Sequence, residues 1–564
     1  MPVLRRALAT LVPSRAEAWT YGFGSLLPFA LLAAARTRLA WGDLDPARHL
    51  DLATVQLGEW SLWAVWGWAW WLGARLVGRF APRAWRALFH CLTAALCVVS
   101  ALDLAYYETT GSRADWEMLA YGLGDITRVW PVVASELSAG RIAVVVGLFV
   151  ACLAPLLRAR REGPAGWRAA PWALALVSVA WMEGSERPSP AAPLRPLQAS
   201  LVDTLFWDGV ERLGEEVVLP SPDALVPLAV EARPDARRPN VVLVFLESVG
   251  AKSTTAYTPT LKTTPTLAKM AEEGLRVENL TTVVPHTSKA LVATLCGDWP
   301  YLRAEMREAS PGGLPGRCLP ELLEDVGYRT AFFQPARGDF EDRIGLVHEM
   351  GFDTFRPRGL LESPGYEKNN YFGIDDRVMI EPGLEWSTAE RGQPFLATYL
   401  TLTSHHDYTV PSHWPTKSWT GVAGRRGKYL AAVNYVDDFL GRLVDAYGKA
   451  GLLGNTVFVV VGDHGEGFNE HGRSQHDLVI YEEGLRVPAV IWGPGVLDRT
   501  GVIEGARQQI DILPTVLGLA GVDVVGGATR GTDLLAAVDG RVLYHSCWRA
   551  HRCLARRDGE DKVI

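Results

Sequence analysis

The sequence has little cysteine and no excess of basic charge. Only 7 of its 564 residues are cysteine, with no CxxC pair and no Cys/His cluster at zinc-finger spacing, so a structural zinc finger is excluded. The formal net charge of −7 excludes a non-specific nucleic-acid binder, which needs a basic surface to displace counterions. Charged residues make up only 21% of the chain and hydrophobic residues 48%, which indicates that part of the chain lies in lipid.

The cysteines divide between an apolar first part of the chain and a more polar second part. Three lie in apolar runs and are predicted to be small buried hydrophobes: Cys91, Cys97 and Cys152. The other four are expected to form two disulfides if the second part lies outside the cytoplasm. Proximity in the sequence suggests the pairs Cys296–Cys318 and Cys547–Cys553.

Apolar residues are concentrated before about residue 185. Five runs approach the ~20 residues that a helix needs to cross the hydrocarbon core of a bilayer. They are Ala18–Ala35, Trp60–Val77, Ala87–Tyr106, Ile142–Leu157 and Trp167–Trp181. We therefore predict a five-helix transmembrane domain over residues 1–185, a Pro-rich linker and interfacial segment over 186–239, and a second domain over 240–564.

Arginine placement predicts the orientation of these spans. Groups of arginines precede the first run, separate the second from the third, and separate the fourth from the fifth. Positively charged flanks stay on the cytoplasmic side, although Arg36 and Arg38 leave the boundary after the first run open. An odd number of spans that starts inside places residues 240–564 on the outer face of the membrane.

Strand and helix patterns alternate from Asn240 onwards. Val241–Leu246 and Thr330–Gln334 are typical of buried strands, whereas TLAKMAEEG has helical periodicity and ends at Gly274. This alternation predicts an α/β domain with a doubly wound, mainly parallel sheet. In such sheets the chemistry gathers beyond the carboxyl ends of the strands.

Acidic, hydroxyl and histidine side chains follow several of the predicted strands. Glu247 follows the first strand, and Asp463 and His464 follow another. Thr287 and Ser288 offer two neighbouring hydroxyls in the loop PHTSKA. Two carboxylates, an imidazole and a hydroxyl form a mixed oxygen and nitrogen set suited to zinc or manganese, which would activate the hydroxyl as a nucleophile.

Three further histidines lie near strand ends. His405 and His406 follow the strand FLATYLTL, and His476 lies in the segment SQHDL. An imidazole at such a place can stabilise phosphoryl oxygens or protonate a leaving group. These histidines are therefore candidates for the same site.

Six segments together carry a resemblance to a known family. They are NVVLVFLES, PHTSKA, TLTSHH, VVVGDHGEGFNEHG, QHDLVIYEEGLRVPAVIWGPG and QQIDILPTVLGLAG. On these segments, residues 240–550 resemble the alkaline-phosphatase/sulfatase superfamily. The layout of membrane spans followed by an outer domain is similar to that of lipoteichoic acid synthases, phosphoglycerol transferases and phosphoethanolamine transferases.

The resemblance implies a role for each matching residue. It implies that one divalent metal ion, zinc or manganese, is bound by four residues, of which Thr287 is also the nucleophile: Glu247, Thr287, Asp463 and His464. It favours His405 over the neighbouring His406 as the phosphate-contacting histidine and gives His476 the place of a second one. Arg343 corresponds to a headgroup-binding arginine.

The family likeness implies metal-dependent transfer of a phosphoalcohol headgroup from a phospholipid to a glycan or lipid acceptor, at a bacterial cell membrane. The alternatives are a membrane-tethered phosphate or sulfate ester hydrolase and an inactive membrane scaffold. Two departures bear on this choice. The Cys or Ser of the CxPSR motif that sulfatases convert to formylglycine is absent from VPHTSKA, and Glu341 or Asp342 replaces the tryptophan that the synthases have near the arginine.

Overall fold

The computed structural model describes residues 51–78, 80–110 and 227–564, together with scattered residues between 17 and 150. Short gaps in the last range fall at 303–305, 362–363, 369–372, 407, 416–421, 423, 469, 472–473, 478 and 549–552. The chain divides into two compact units, Met1–Val218 and Leu219–Ile564.

Two long helices are described in the first unit. Helix α1 (Asp51–Leu76) and helix α2 (Pro82–Thr110) overlap the second and third predicted spans. Tryptophans join them: Trp66 Nε1 donates to Thr93 Oγ1 at 2.9 Å, and Trp85 Nε1 donates to the carbonyl of Trp70.

The five predicted spans stay a prediction. Among the described residues, no helix combines the length and the apolarity needed to cross a bilayer. The predicted span Trp167–Trp181 lies outside the described residues, and those at Ala18–Ala35 and Ile142–Leu157 lie largely outside them.

The cysteines of the first unit only partly follow the prediction. Cys97 is buried, but Cys91 is exposed, so its predicted burial is wrong. Cys91 shares the outward face of α2 with Leu88 and Leu92, which are also exposed. Cys152 lies outside the described residues.

The second unit is an α/β domain. Its helices are α3 (Pro265–Glu273), α4 (Thr287–Cys296), α5 (Leu319–Asp325), α6 (Arg343–Glu349), α7 (Ile380–Ala389), α8 (Gly424–Lys449), α9 (Glu482–Leu485) and α10 (Ile512–Leu519). Its strands are β1 (Ala229–Ala232), β2 (Asn240–Leu246), β3 (Leu275–Thr281), β4 (Arg329–Phe333), β5 (Thr354–Arg356), β6 (Phe395–Leu400), β7 (Thr456–Gly462), β8 (Gly467–Phe468), β9 (Ser474–Gln475), β10 (Arg486–Val487), β11 (Ala489–Trp492), β12 (Gly501–Gln508), β13 (Val522–Gly526), β14 (Val542–Ser546), β15 (Leu554–Asp558) and β16 (Asp561–Val563).

The main sheet has nine strands in the order β10-β3-β11-β7-β2-β6-β4-β5, with β12 paired to β3. Strands β7, β2, β6, β4 and β5 form a continuous parallel block. Strand β11 runs antiparallel to both β7 and β3, so the sheet is mixed, but most of its strand pairs are parallel, as predicted. Pro488 separates the two short strands β10 and β11, because proline has no N–H for a ladder hydrogen bond.

The central strands are buried on both faces. All residues of β2, β6 and β7 are buried, as expected for parallel strands covered by helices. Alternate residues of β2 enter two cores: Val241 and Leu243 pack with α4, α5, α6 and α10, whereas Val242 and Val244 pack with α3 and α8. Helices therefore cover both sheet faces, as the predicted doubly wound arrangement requires.

Both expected disulfides are present in the second unit. Cys296 at the end of α4 is bonded to Cys318, just before α5. Cys547 and Cys553 close a short loop between β14 and β15. The first bridge therefore joins the two ends of a long excursion between α4 and α5.

A fully buried ion pair holds the same excursion against α4. Lys289 and Glu308 both have side chains that are 0% exposed, and Lys289 Nζ lies 2.8 Å from each carboxylate oxygen of Glu308. Glu308 also accepts a hydrogen bond from the backbone N–H of Tyr301 at 2.8 Å. A buried charge that loses its partner is costly, so each of the two side chains depends on the other.

We predict that Lys289→Met lowers the free energy of unfolding by about 3–5 kcal/mol, because it leaves the Glu308 carboxylate buried without its cation. Guanidinium unfolding of the purified full chain, followed by tryptophan fluorescence, measures the change. The double variant Lys289→Met/Glu308→Leu should recover part of the loss, since no unpaired charge remains. Equal losses in the single and double variants would show that the ion pair is not what stabilises this region.

Candidate active site

The site is formed where the carboxyl ends of neighbouring strands meet. Strand β2 pairs in parallel with β7, and Leu246 lies opposite Gly462, so the residues that follow, Glu247 and Asp463, are brought side by side. The backbone N–H of Ser248 donates to Asp463 Oδ1 at 2.8 Å and joins the two strand ends. This is the edge at which sheets of this kind bind ligands.

Three of the predicted metal ligands form a compact cluster there. One ligand atom each from Glu247, Asp463 and His464 lies within 4.8 Å of the others, and all three residues are buried. Asp463 Oδ2 accepts no hydrogen bond from any residue that the structure describes. A buried carboxylate oxygen without a donor suits a cation, so the residues present fit a divalent metal ion.

The titration of the cluster gives a second reason for this fit. Burial raises the pKa of Asp463 to about 7. Burial and the neighbouring Asp463 also raise the pKa of Glu247. Two carboxylates are thus forced together in a dry place, where their charges repel, and a divalent cation would relieve both the repulsion and the desolvation.

The hydrogen bonding of His464 leaves one ring nitrogen for the cluster. Nδ1 lies 2.9 Å from the carbonyl oxygen of Gly465, which can only accept, so Nδ1 carries the proton. Nε2 then holds a lone pair and lies 3.3 Å from Thr287 Oγ1. Burial and the neighbouring His476 lower the pKa of His464 to about 3, so the ring is neutral at pH 7, as a metal ligand must be.

Of the two hydroxyls that the sequence offers, only Thr287 is shown bonded to this cluster. Thr287 is the first residue of α4, and its Oγ1 donates to Glu247 Oε2 at 3.1 Å. The N-terminal end of a helix favours negative charge, so this position would stabilise a deprotonated hydroxyl. Ser288 Oγ instead donates to Glu341 at 2.6 Å.

The predicted histidines lie next to the cluster. The rings of His476 and His464 are 3.9 Å apart between centroids, and the ring of His405 is 6.2 Å from that of His476. His406 lies 3.9 Å from His405 and 6.4 Å from His476. Burial lowers the pKa of His476 to about 4, so its ring is neutral at pH 7 and able to accept a proton.

Arg343 contacts the second of the two hydroxyls, that of Ser288. It begins α6 and is 5% exposed, and its Nη2 donates to Ser288 Oγ at 2.9 Å. Burial lowers the pKa of Arg343, while Glu341, Glu247 and Asp463 oppose that shift. The guanidinium therefore lies in the electric field of the cluster's carboxylates. Its Nη1 has no hydrogen-bond partner among the described residues.

Three residues near Arg343 were not predicted as part of the site. Glu341 is 9% exposed, His286 donates to it through Nε2 at 2.9 Å, and the ring of Trp548 stacks on His286 at 3.8 Å. His286 is itself buried. No local pattern marks these contacts, because they join segments more than 50 residues apart in the chain.

Backbone strain gathers at the site. Non-glycine residues with positive φ include Ser248 (55°), Glu341 (52°), Asp342 (49°) and Gln475 (61°), each next to or among the residues described above. Such conformations are rare for residues with a Cβ and persist where the surrounding structure holds them. The loops that carry the site are therefore set by tertiary contacts.

Comparison with known proteins gives several relatives. Phosphoglycerol transferase I of Xanthomonas campestris is 29% identical over 345 residues, which cover 58% of this chain and 45% of that protein. N-acetylgalactosamine-6-sulfatase of Sus scrofa is 25% identical over 347 residues, covering 53% and 66%. Lipoteichoic acid synthase 1 of Bacillus subtilis is 26% identical over 229 residues, covering 39% and 35%. The chain thus spans less than two thirds of the length of each of these relatives.

The family model described as Sulfatase matches residues 239–522, which is half of the chain. The matched residues include the whole main sheet, the cluster of Glu247, Asp463 and His464, and Arg343. Beyond them lie β14, β15, β16 and Trp548. The resemblance to the alkaline-phosphatase/sulfatase superfamily and the prediction of an enzyme of this type are confirmed, and the chain belongs to the sulfatase family.

Proposed function

We propose that this protein transfers a phosphoalcohol headgroup from a phospholipid to a glycan or lipid acceptor through a covalent intermediate on Thr287. The observation that carries the proposal is the position of the Thr287 hydroxyl at the N-terminus of α4. There it lies 3.1 Å from Glu247 Oε2 and 3.3 Å from His464 Nε2. Relatives named phosphoglycerol transferase and lipoteichoic acid synthase support the choice of a phospholipid donor.

The donor set would hold one divalent metal ion, zinc or manganese. Its ligands would be Glu247, Thr287, Asp463 and His464, two carboxylates with a hydroxyl and a neutral imidazole. When bound, such an ion lowers the pKa of the threonine hydroxyl and draws electron density from a phosphoryl oxygen.

The side chains of the site carry out the attack on phosphorus, the proton transfer and the binding of the phosphoryl oxygen. Thr287 Oγ forms a bond to phosphorus while the bond from phosphorus to the diacylglycerol oxygen breaks. The proton that Thr287 loses balances the proton that diacylglycerol gains, and His405 and His476 lie where they can carry it. Arg343 supports a phosphoryl oxygen through Nη1, with His406 as a further contact beside His405.

The second step returns the enzyme to its starting state. A hydroxyl of the acceptor attacks the same phosphorus, forms the new ester, and gives its proton to the threonine oxygen as that oxygen leaves. Covalent catalysis of this kind divides one difficult displacement into two easier ones. Water in place of the acceptor would make the protein a hydrolase.

We further propose that the chain is a multi-pass protein of a bacterial cell membrane. The transmembrane domain would span residues 1–185 and the linker 186–239, with the catalytic domain 240–564 on the periplasmic or extracellular side. Two disulfides in the second unit support this side of the membrane, because disulfides persist in oxidising compartments. A phospholipid donor would then be supplied by the membrane that anchors the enzyme.

The covalent intermediate gives a direct test. The metal-loaded full chain is incubated with phosphatidylglycerol or phosphatidylethanolamine vesicles and quenched in acid, and the mass of the peptide that contains Thr287 is measured. We expect that peptide to gain a phosphodiester-linked headgroup, because the acceptor is absent and the second step cannot proceed. The added mass identifies the headgroup.

Thr287→Ala should abolish the adduct, whereas Thr294→Ala, which removes a hydroxyl from the same helix away from the cluster, should retain it. A metal-loaded wild-type protein that releases headgroup phosphate without any adduct would favour the hydrolase. An adduct found on Ser288 instead would contradict the assignment of the nucleophile.

The metal site is tested by metal content. We predict that Asp463→Ala lowers the affinity for zinc or manganese by at least about 10-fold, because it removes a charged ligand and leaves Glu247 alone to balance the ion. Metal analysis after dialysis against a weak chelator measures the loss, and transfer activity should fall with it.

A matched control is Glu470→Gln, which changes a carboxylate of the same loop that pairs with Lys252 at 2.6 Å rather than with the cluster. It should keep the metal. If wild-type protein binds no divalent ion, the scaffold alternative would replace the enzyme.

A further inference from the structure

A continuous series of side-chain contacts begins at Arg343. Arg343 Nη2 donates to Ser288 Oγ at 2.9 Å, and Ser288 Oγ donates to Glu341 Oε2 at 2.6 Å. Glu341 Oε1 lies 2.9 Å from His286 Nε2, and the His286 ring is stacked on Trp548 with an angle of 13° between the planes. We call these four residues beyond Arg343, namely Ser288, Glu341, His286 and Trp548, the relay.

The relay has one arrangement of hydrogen bonds. Burial would raise the pKa of Glu341, but His286 and Arg343 outweigh burial and lower it to about 2, so the side chain is a carboxylate that can only accept. Ser288 must therefore give its proton to Glu341 and accept from Arg343. His286 must carry its proton on Nε2. Each residue fixes the orientation of the next. The Ser288 hydroxyl accepts from Arg343 and donates its only proton to Glu341.

The backbone at Glu341 is shaped for this contact. Glu341 and Asp342 have φ values of 52° and 49°, a conformation that residues with a Cβ rarely adopt, and they stand immediately before Arg343. Two consecutive residues of this kind turn the chain so that the carboxylate and the guanidinium both face Ser288. The direct contact between Arg343 Nη2 and Glu341 Oε2 is 3.9 Å, so Ser288 bridges them.

The outer end of the relay comes from a part of the chain that the family match leaves out. Trp548 follows β14, and its backbone N–H donates to the carbonyl of Asp477, next to His476. The N–H of Ser546 donates to Val283, and His545 Nδ1 donates to the carbonyl of Thr282. The C-terminal segment is thus bound along the loop that leads to Thr287, and it covers His286.

Arg343 has one terminal nitrogen whose N–H groups find no acceptor among the described residues. With Nη2 held by Ser288, its Nη1 is buried and has no hydrogen-bond partner among the residues the structure describes. A buried N–H group without an acceptor is costly, and the Thr287 hydroxyl belongs to the residue next to Ser288. The ligand chemistry that suits this position is a singly charged oxygen of a phosphoryl group.

We propose that Ser288, Glu341, His286 and Trp548 are positioning residues that hold the Arg343 guanidinium so that Nη1 binds one anionic oxygen of the substrate phosphoryl group. The inference rests on the proposed phosphoryl site, but not on transfer, since a hydrolase would need the same contact. Anion binding in the absence of a donor lipid therefore tests it separately.

The test is a double-mutant cycle with inorganic phosphate as the probe. Calorimetry measures phosphate binding to the full chain in detergent, loaded with zinc, for wild type, Ser288→Ala, Arg343→Ala and the double variant. We expect Arg343→Ala to weaken binding at least about 10-fold, because a charge-assisted contact is lost. Ser288→Ala should weaken binding about 5-fold in the wild-type background and not at all when Arg343 is already absent, since it acts only through that residue.

Two further variants separate positioning from a general effect on the structure. Ser288→Thr keeps a hydroxyl and should restore phosphate binding to within about 2-fold of wild type, as expected when the hydroxyl alone matters. Trp548→Ala should behave like Ser288→Ala in both backgrounds, while Thr294→Ala on the same helix should change nothing. Zinc content should stay the same in all of them.

Several results would overturn the proposal. Equal losses from Ser288→Ala with and without Arg343 would show that the serine does not act through the guanidinium. The same conclusion follows if Ser288→Thr fails to restore binding while the protein retains its zinc. Absence of phosphate binding to zinc-loaded wild-type protein would show that Arg343 does not bind an anionic phosphoryl oxygen. Failure to detect an adduct on Thr287 would refute the transferase mechanism and leave this inference standing.

Discussion

Two buried carboxylates held side by side are the constraint on which the rest of the site depends. Because β2 and β7 are neighbours in parallel register, Glu247 and Asp463 leave their strands at the same edge and point into the same dry space. Burial raises the pKa of both, so the pair is stable as charged groups only with a cation between them. The neutral His464 and the Thr287 hydroxyl complete a set of donors that suits a divalent ion.

The helix that carries Thr287 is anchored along its whole length. All ten residues of α4 are buried, Lys289 is paired with Glu308, and Cys296 at the far end is bonded to Cys318. A site built on a rigid helix holds its side chains more precisely than one built on a loop. The surrounding loops carry the strained backbone, which tertiary contacts maintain.

The site combines residues inside the family match with residues that lie beyond it. The residues that match the sulfatase family include Arg343 and the cluster of Glu247, Asp463 and His464. Trp548 lies beyond them in the C-terminal segment. The residues around Arg343 therefore come partly from outside the matched range.

The sequence by itself predicted several central buried strands, the polar side chains at their ends and the two disulfide pairs. Buried strands such as β2 and β7 are short runs of apolar residues, and the residues that follow a parallel strand must meet at one edge, so local patterns were enough to bring Glu247, Asp463 and His464 together. Only the tertiary structure decided that β11 runs antiparallel and that Ser288 turns towards Glu341 and Arg343 while Thr287 faces the cluster. Strand direction and the contacts of Trp548 with His286 join segments far apart in the chain, and no periodicity or spacing in one segment records which distant segment it will touch.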